Sequence, residues 1–154
     1  MRTALGLALG LTLVAGLYLA SLGEDASTDI VSVTRVVDGD TLIGQYKGSE
    51  VRIRLIGIDA PEVGQCYATS AAHMLSRMTL NKTVRGYEDQ KSDDLYGRTL
   101  LYLYLEDGRF INQELVERGA AIATPVAPNT THAGALYKAQ VRAEWLQQGQ
   151  HRTC

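Results

Sequence analysis

The chain is organised by two spacings of its apolar residues, and the order in which they alternate predicts the fold. From Ile30 to Val37, β-branched residues alternate with polar ones, with Val31, Val33 and Arg35 on one parity, which is the period of a strand. Asp38-Gly39-Asp40 is turn sequence, Thr41 to Tyr46 a second strand, Lys47-Gly48-Ser49 another turn and Glu50 to Ile58 a third strand. Three strands joined by tight turns predict an antiparallel meander. Pro61 breaks the pattern, and from Tyr67 the positions Ala68, Ala71, Ala72, Leu75 and Met78 follow helical spacing to about Leu80. Thr83 to Glu88 reads as a fourth strand, Asp89 to Gly97 as a polar loop and Arg98 to Leu105 as a fifth strand. In that strand Leu101, Leu103 and Leu105 share one face, with Tyr102 and Tyr104 on the other as barrel-packing side chains. A short helix from Ile111 to Arg118 is closed by Gly119, and a coil with Pro125 and Pro128 leads to a last helix from about His132 to Gln148. Its stripe is Leu136, Ala139, Ala143 and Leu146, with Trp145 beside it as an anchor, and its histidine is expected to be solvated or capping.

Five short strands, a helix after the third and two helices at the end predict an α+β fold: a five-stranded Greek-key barrel of the oligonucleotide/oligosaccharide-binding (OB) type with three helices. A length of 154 residues suits one such domain, and a hydrophobic share of 45% with a charged share of 21% excludes wholesale disorder. No internal period marks a repeat protein.

The N-terminus changes the expected address. Ala4 to Gly23 carries no charge, follows Arg2 and precedes Glu24-Asp25, as in an export signal with small residues near its end. The expected organisation is a signal peptide or N-terminal membrane anchor over 1–23, a linker over 24–29 and a single domain over 30–154. Cleavage gives a secreted protein; an uncleaved run is just long enough to span a bilayer and would tether the domain outside the cytoplasm, giving it a membrane contact. Cys66 and Cys154 are the only cysteines, and in an exported protein they read as one disulfide. With His73, His132 and His151 they show no paired spacing for zinc. The formal net charge is −2, so attraction of a polyanion has to come from a local positive face.

Four segments carry the candidate chemistry: Asp38-Gly39-Asp40-Thr41, Arg54, Asp59-Ala60-Pro61-Glu62 and Asp94-Leu95-Tyr96-Gly97-Arg98. Hard carboxylates, a spare Glu and two guanidinium forks are the parts needed to cleave a phosphodiester beside a hard divalent cation. Together with Ile53-Arg54-Leu55, Gly108 to Gly119 and Pro128-Asn129-Thr130-Thr131-His132, in this order from Val33 to Trp145, they resemble the staphylococcal nuclease-like (thermonuclease) family.

The resemblance implies the same barrel in a monomer, with Ca2+ held by Asp40, Asp59 and the main-chain carbonyl of Ala60. It implies Glu62 as the group that positions or deprotonates the attacking water, and Arg54 and Arg98 as forks on the phosphate oxygens. The implied activity is hydrolysis of the phosphodiester bonds of DNA by in-line water attack, with RNA left open as a further substrate. Where many relatives have Thr, this chain has Ala60, which a backbone donor tolerates. Thr124 and Val126 replace tyrosines that contact nucleotide, and Val63-Gly64-Gln65-Cys66-Tyr67 replaces a lysine-rich loop, so Tyr67 and Tyr96 are the remaining candidate substrate contacts. Asp38 is expected to serve its turn alone. Strict alternation sets Arg54 and Asp59 on opposite parities, so a bulge or sharp twist at Gly57 is expected between them. The alternative function is a non-catalytic barrel that binds single strands or another extracellular polyanion.

Overall fold

The structure, a computed structural model, describes residues 29–154; the expected leader and nearly all of the linker lie outside the described residues. Five strands close a barrel in the order β1 (Ile30–Val36), β2 (Thr41–Tyr46), β3 (Ser49–Leu55), β6 (Thr99–Tyr104) and β5 (Thr83–Tyr87). Each pair is antiparallel except β3 with β6, where Arg54 faces Leu100 in a parallel register. A parallel pair needs a long crossover. Here it contains α1 (Ala68–Thr79) and β5. A second, two-stranded pair joins β4 (Ile58–Asp59) to β7 (Ile122–Ala123) outside the barrel. The helices α2 (Ile111–Glu117) and α3 (Ala133–Trp145) follow as expected, and a single helical turn, α4 (Gln150–Thr153), ends the chain.

Alternation places Val31, Val33, Leu42, Ile53, Leu55, Val84, Leu101 and Leu103 in the barrel core, each at most 3% exposed. Helical spacing brings Ala71 and Leu75 of α1, Ile111, Leu115 and Val116 of α2 and Leu136 of α3 onto the same core. Cys66 and Cys154 form the expected disulfide, tying the loop before α1 to the chain end over a separation of 88 residues. No helix among the described residues is long and apolar enough to cross a membrane.

Several expectations are corrected by packing. The third strand stops at Leu55, because the chain reverses at Ile56-Gly57 and resumes as β4. Arg35 leaves the parity of Val33, since a register shift in β1 pairs Val33 with Gly44 but Arg35 with Ile43. Trp145 is no anchor: the face that α3 buries is formed by Leu136, Ala139 and Ala143, leaving Trp145 82% exposed and Leu146 42% exposed. His132 neither caps α3 nor sits in solvent. Its ring meets the Tyr102 ring edge-on at 4.5 Å and lies 4.9 Å from that of Phe110. Tyr102 and Tyr104 are barrel-packing residues as expected, and the Tyr102 hydroxyl donates to Asp89 Oδ2 at 3.1 Å.

Candidate active site

Asp40 enters the site because a glycine lets its turn press inward. A Cβ on Gly39 would lie 2.6 Å from the Ala60 Cβ and 2.7 Å from the Ala71 Cβ, so only glycine allows the turn between Ala60 and α1. Asp38 serves that turn by accepting the Asp40 N–H at 3.0 Å. The Asp40 carbonyl accepts the Leu55 N–H at 2.9 Å, fixing the backbone to the end of β3. Its carboxylate, in a residue only 5% exposed, accepts the Ala60 N–H at 2.6 Å and the Thr41 hydroxyl at 3.0 Å. Burial pushes the Asp40 carboxyl up, Arg54 and the Ala60 amide pull it back, and the balance stands at about 6.

Arg54 is drawn to the same rim by the reversal after β3. Gly57 adopts φ +76°, the left-handed region that glycine enters without strain, and Asn112 holds the turn from behind. Asn112 is fully buried on α2, donating to the Ile56 carbonyl at 2.9 Å and accepting the Leu103 N–H at 3.0 Å. Arg54 Nη1 closes the reversal by donating to the carbonyls of Leu55 at 3.1 Å and Ile58 at 2.8 Å. The same nitrogen lies 3.0 Å from Asp40 Oδ2, and Nη2 donates to Asp59 Oδ1 at 2.9 Å. One guanidinium therefore spans two carboxylates that are nineteen residues apart in sequence.

Arg98 is oriented by its own loop. Asp94 Oδ2 accepts its Nε–H at 2.6 Å, and Asp94 Oδ1 accepts the N–H groups of Tyr96 at 2.8 Å and Arg98 at 3.0 Å. Burial raises the Asp94 pKa, but these bonds and the Arg98 charge outweigh it and leave the carboxyl below its ordinary value. Held by Nε, Arg98 makes no hydrogen bond with its two terminal nitrogens among the described residues. Arg54, Asp59, Lys91 and Arg98 line one cleft of about 460 Å³, whose far wall carries Thr124, Val126 and Pro128. A larger depression of about 1030 Å³ lies between α1 and the loop after β6; there Arg109 and Arg118 are paired with Asp107 and Glu114.

Glu62 stands on the exposed loop two residues beyond Ala60. Its N–H donates to Gln65 Oε1 at 2.7 Å, and its carboxylate makes no hydrogen bond among the described residues. It does not line the cleft. Tyr96 is 85% exposed, with its ring 5.5 Å from the Arg98 guanidinium. Tyr67 is not brought to the cleft: it begins α1 at φ +70° and faces a separate depression with Gln147, Gly149 and Arg152, because the disulfide draws the chain end alongside it.

Asp40, Asp59 and the Ala60 carbonyl are hard oxygen donors, matched to a hard dication. The described residues gather no group of three or more His, Cys, Asp or Glu that could hold a metal, so a cation here would complete its shell with carbonyls and water, which calcium accepts. Two carboxylates and a main-chain carbonyl are the donor types that calcium takes, and the donor set fits the ion on that ground.

Residues 52–149 match the family model described as staphylococcal nuclease homologue. The chain belongs to the staphylococcal nuclease family. It is 36% identical over 131 residues to a thermonuclease of Staphylococcus intermedius, covering 79% of this chain and 77% of that protein. It is 34% identical over 129 residues to a thermonuclease of Staphylococcus hyicus, covering 80% of this chain and 76% of that protein. An uncharacterized endonuclease of Escherichia coli O157:H7 shares 43% identity over 89 residues, 58% of this chain and 57% of the other.

Two residues that build the site in this family member were not singled out from sequence. Asp94 was legible only as part of a motif, although an acid four residues before an arginine across a Tyr-Gly turn is a local pairing signal. Asn112 offered a weaker one, a lone amide on the apolar face of a short helix.

Proposed function

We propose that this chain, a phosphodiester-hydrolysing nuclease by family, is an exported, calcium-dependent enzyme that cleaves DNA and RNA with little sequence preference. The observation that carries this reading is the Arg54 guanidinium spanning Asp40 and Asp59 at the rim of a cleft that also holds Arg98. The scissile phosphate sits between the two arginines, whose planar forks match its oxygens and meet the charge that grows as phosphorus becomes five-coordinate. Glu62, with an unengaged carboxylate, orients a water and accepts its proton as the water oxygen bonds to phosphorus. The bond from phosphorus to the 5′ oxygen breaks, the departing oxygen takes a proton from solvent, and the product ends in a 3′-phosphate. Calcium held by Asp40, Asp59 and the Ala60 carbonyl would supply positive charge beside the reacting group. Tyr96, exposed next to Arg98, offers a ring on which a base can stack, while Thr124 and Val126 offer none. The disulfide supports an address outside the cytoplasm.

Purified protein is incubated with denatured DNA and with RNA, in calcium or in chelator. Calcium-dependent breakdown that falls at least about a hundredfold in both Glu62→Gln and Arg98→Ala supports the assignment. Full activity in chelator removes the calcium reading, and binding without cleavage replaces the enzyme with a binding module.

A further inference from the structure

The outer face of α3 carries a stripe that the barrel does not use. Leu136, Ala139 and Ala143 bury one side of this helix; Tyr137, Val141 and Trp145, spaced four apart, lie on the side turned away and are 52%, 65% and 82% exposed. A helix on a solvated surface ordinarily turns polar residues outward. Here the outermost line is aromatic and β-branched. Lys138 and Arg142 follow it one position round the helix, and on the opposite flank Glu144 accepts a hydrogen bond from Gln140 Nε2 at 2.7 Å.

We propose that this stripe is a lipid-contact face, with Tyr137, Val141 and Trp145 seated in the interfacial layer of an anionic bilayer and Lys138 and Arg142 on its headgroups. Area, charge and chain connectivity select this occupant. Two aromatic rings and a valine remove roughly 500 Å² from water even when fully covered, short of the ~800 Å² per partner that a stable protein interface needs. Tryptophan and tyrosine suit the bilayer interface, where an apolar body and a polar tip are both satisfied, and flanking cations are drawn to anionic headgroups. Six residues separate the uncharged run Ala4 to Gly23 from Ile30, a linker whose extended reach is only about 20 Å. The domain's first strand and the start of α3 lie at one end of the barrel: Ile30 pairs with Arg85, Arg85 with Tyr104, and the Tyr104 hydroxyl is 3.3 Å from His132 Nε2. While that run is attached in a membrane, the start of α3 is therefore held near its surface, and the stripe of Tyr137, Val141 and Trp145 runs on from that end over about 20 Å of helix.

Trp145 is the only tryptophan of the full chain, so its fluorescence reports this stripe alone. Purified full-length protein is titrated with vesicles of phosphatidylcholine, with and without phosphatidylglycerol, while emission and iodide quenching are recorded. The expected result is a blue shift and at least threefold less quenching on the anionic vesicles. The shift is abolished in Tyr137→Ser/Val141→Ser and needs several-fold more lipid in Lys138→Ala/Arg142→Ala, with cleavage of free DNA unchanged in both. Vesicle binding that leaves the Trp145 emission unchanged means that the N-terminal run alone holds the protein and overturns the proposal, as does no binding. A blue shift that grows with protein concentration in the absence of lipid assigns the stripe to a second copy and overturns it as well.

Discussion

Gly57→Ala tests whether the reversal after β3 builds the site. At φ +76° an alanine carries a left-handed penalty of about 1 to 2 kcal/mol. Its Cβ would also stand 2.6 Å from Leu136 Cδ1, and relief requires an off-rotamer leucine at roughly 1 kcal/mol. The variant should lose about 2 to 3 kcal/mol in all. The two costs can be separated with Leu136→Ala, which removes the clash but not the backbone penalty, while on its own it costs about 2 to 5 kcal/mol for the cavity. Urea denaturation of the two single variants and the double variant should therefore show a favourable coupling of about 1 kcal/mol. Activity responds differently, because Arg54 donates to the carbonyls on both sides of this turn and to Asp59 beyond it. Turnover by Gly57→Ala should fall at least about tenfold under conditions where it is fully folded, and restoring space at Leu136 should recover only part of that. Additive stabilities would refute the clash, and a folded Gly57→Ala with undiminished turnover would refute the claim that this turn aligns the acids with Arg54.

Replacing Cys66 and Cys154 by serine should cost up to about 4.5 kcal/mol in the chain-entropy account of a loop of 88 residues, read as a lower melting temperature; an unchanged melt would refute it. Asp94→Ala should lower kcat by on the order of tenfold by releasing Arg98, with the fold retained by circular dichroism; unchanged kcat would deny Asp94 its positioning role. At Asp89, burial raises the pKa, but bonds from the Thr131 amide and hydroxyl and the Tyr102 hydroxyl outweigh it, so the folded value is lowered. Its contribution is present above the ordinary carboxylate range and is lost as pH falls through the depressed folded value. Asp89→Asn should therefore flatten the acid limb of the stability profile and lower stability at neutral pH by about 1 to 2 kcal/mol, whereas parallel profiles would contradict the assignment.

Much of this architecture was legible because it follows from two periods and a few obligatory turn residues. Alternation located every barrel strand to within a few residues, and helical spacing located α1 and α3. The meeting of Arg54 with Asp59 was also within reach: an odd separation between two residues expected on one rim, with a glycine between them, implies a bulge or sharp twist, which the structure makes as a tight turn. Sequence failed where a side chain's partner lies far along the chain. His132 joins Tyr102, Tyr104 and Phe110 only because the start of α3 lies against the outer face of β6, and no local rule says so. Trp145 was misplaced by the assumption that a large apolar residue on a terminal helix must be buried, although its rotation relative to Leu136, Ala139 and Ala143 already set it apart.

The candidate site divides into a part held by packing and hydrogen bonds and a part that is not, and the division follows from how each residue is placed. Asp40 and Arg54 stand on barrel strands or their immediate ends and Asp59 on β4 just beyond, fixed by the close approach at Gly39, the positive φ of Gly57 and the two hydrogen bonds of Asn112. Arg98 lies at the end of a loop, yet Asp94 holds it by accepting its N–H and Nε–H, and steadies the loop by accepting the Tyr96 N–H. Glu62 has no such support. Its carboxylate is unengaged on an exposed loop, so the role proposed for it requires a position selected when substrate and water arrive rather than built in beforehand. Groups in the held part can therefore be impaired from a distance, by changes at Gly57 or Asn112 that never touch substrate, because small shifts of a packed turn carry Arg54 and Asp59 with them. Glu62 is insulated from those shifts and open to a different one: stiffening or lengthening of the Val63-Gly64-Gln65 stretch would change how often its carboxylate reaches the water without disturbing the barrel.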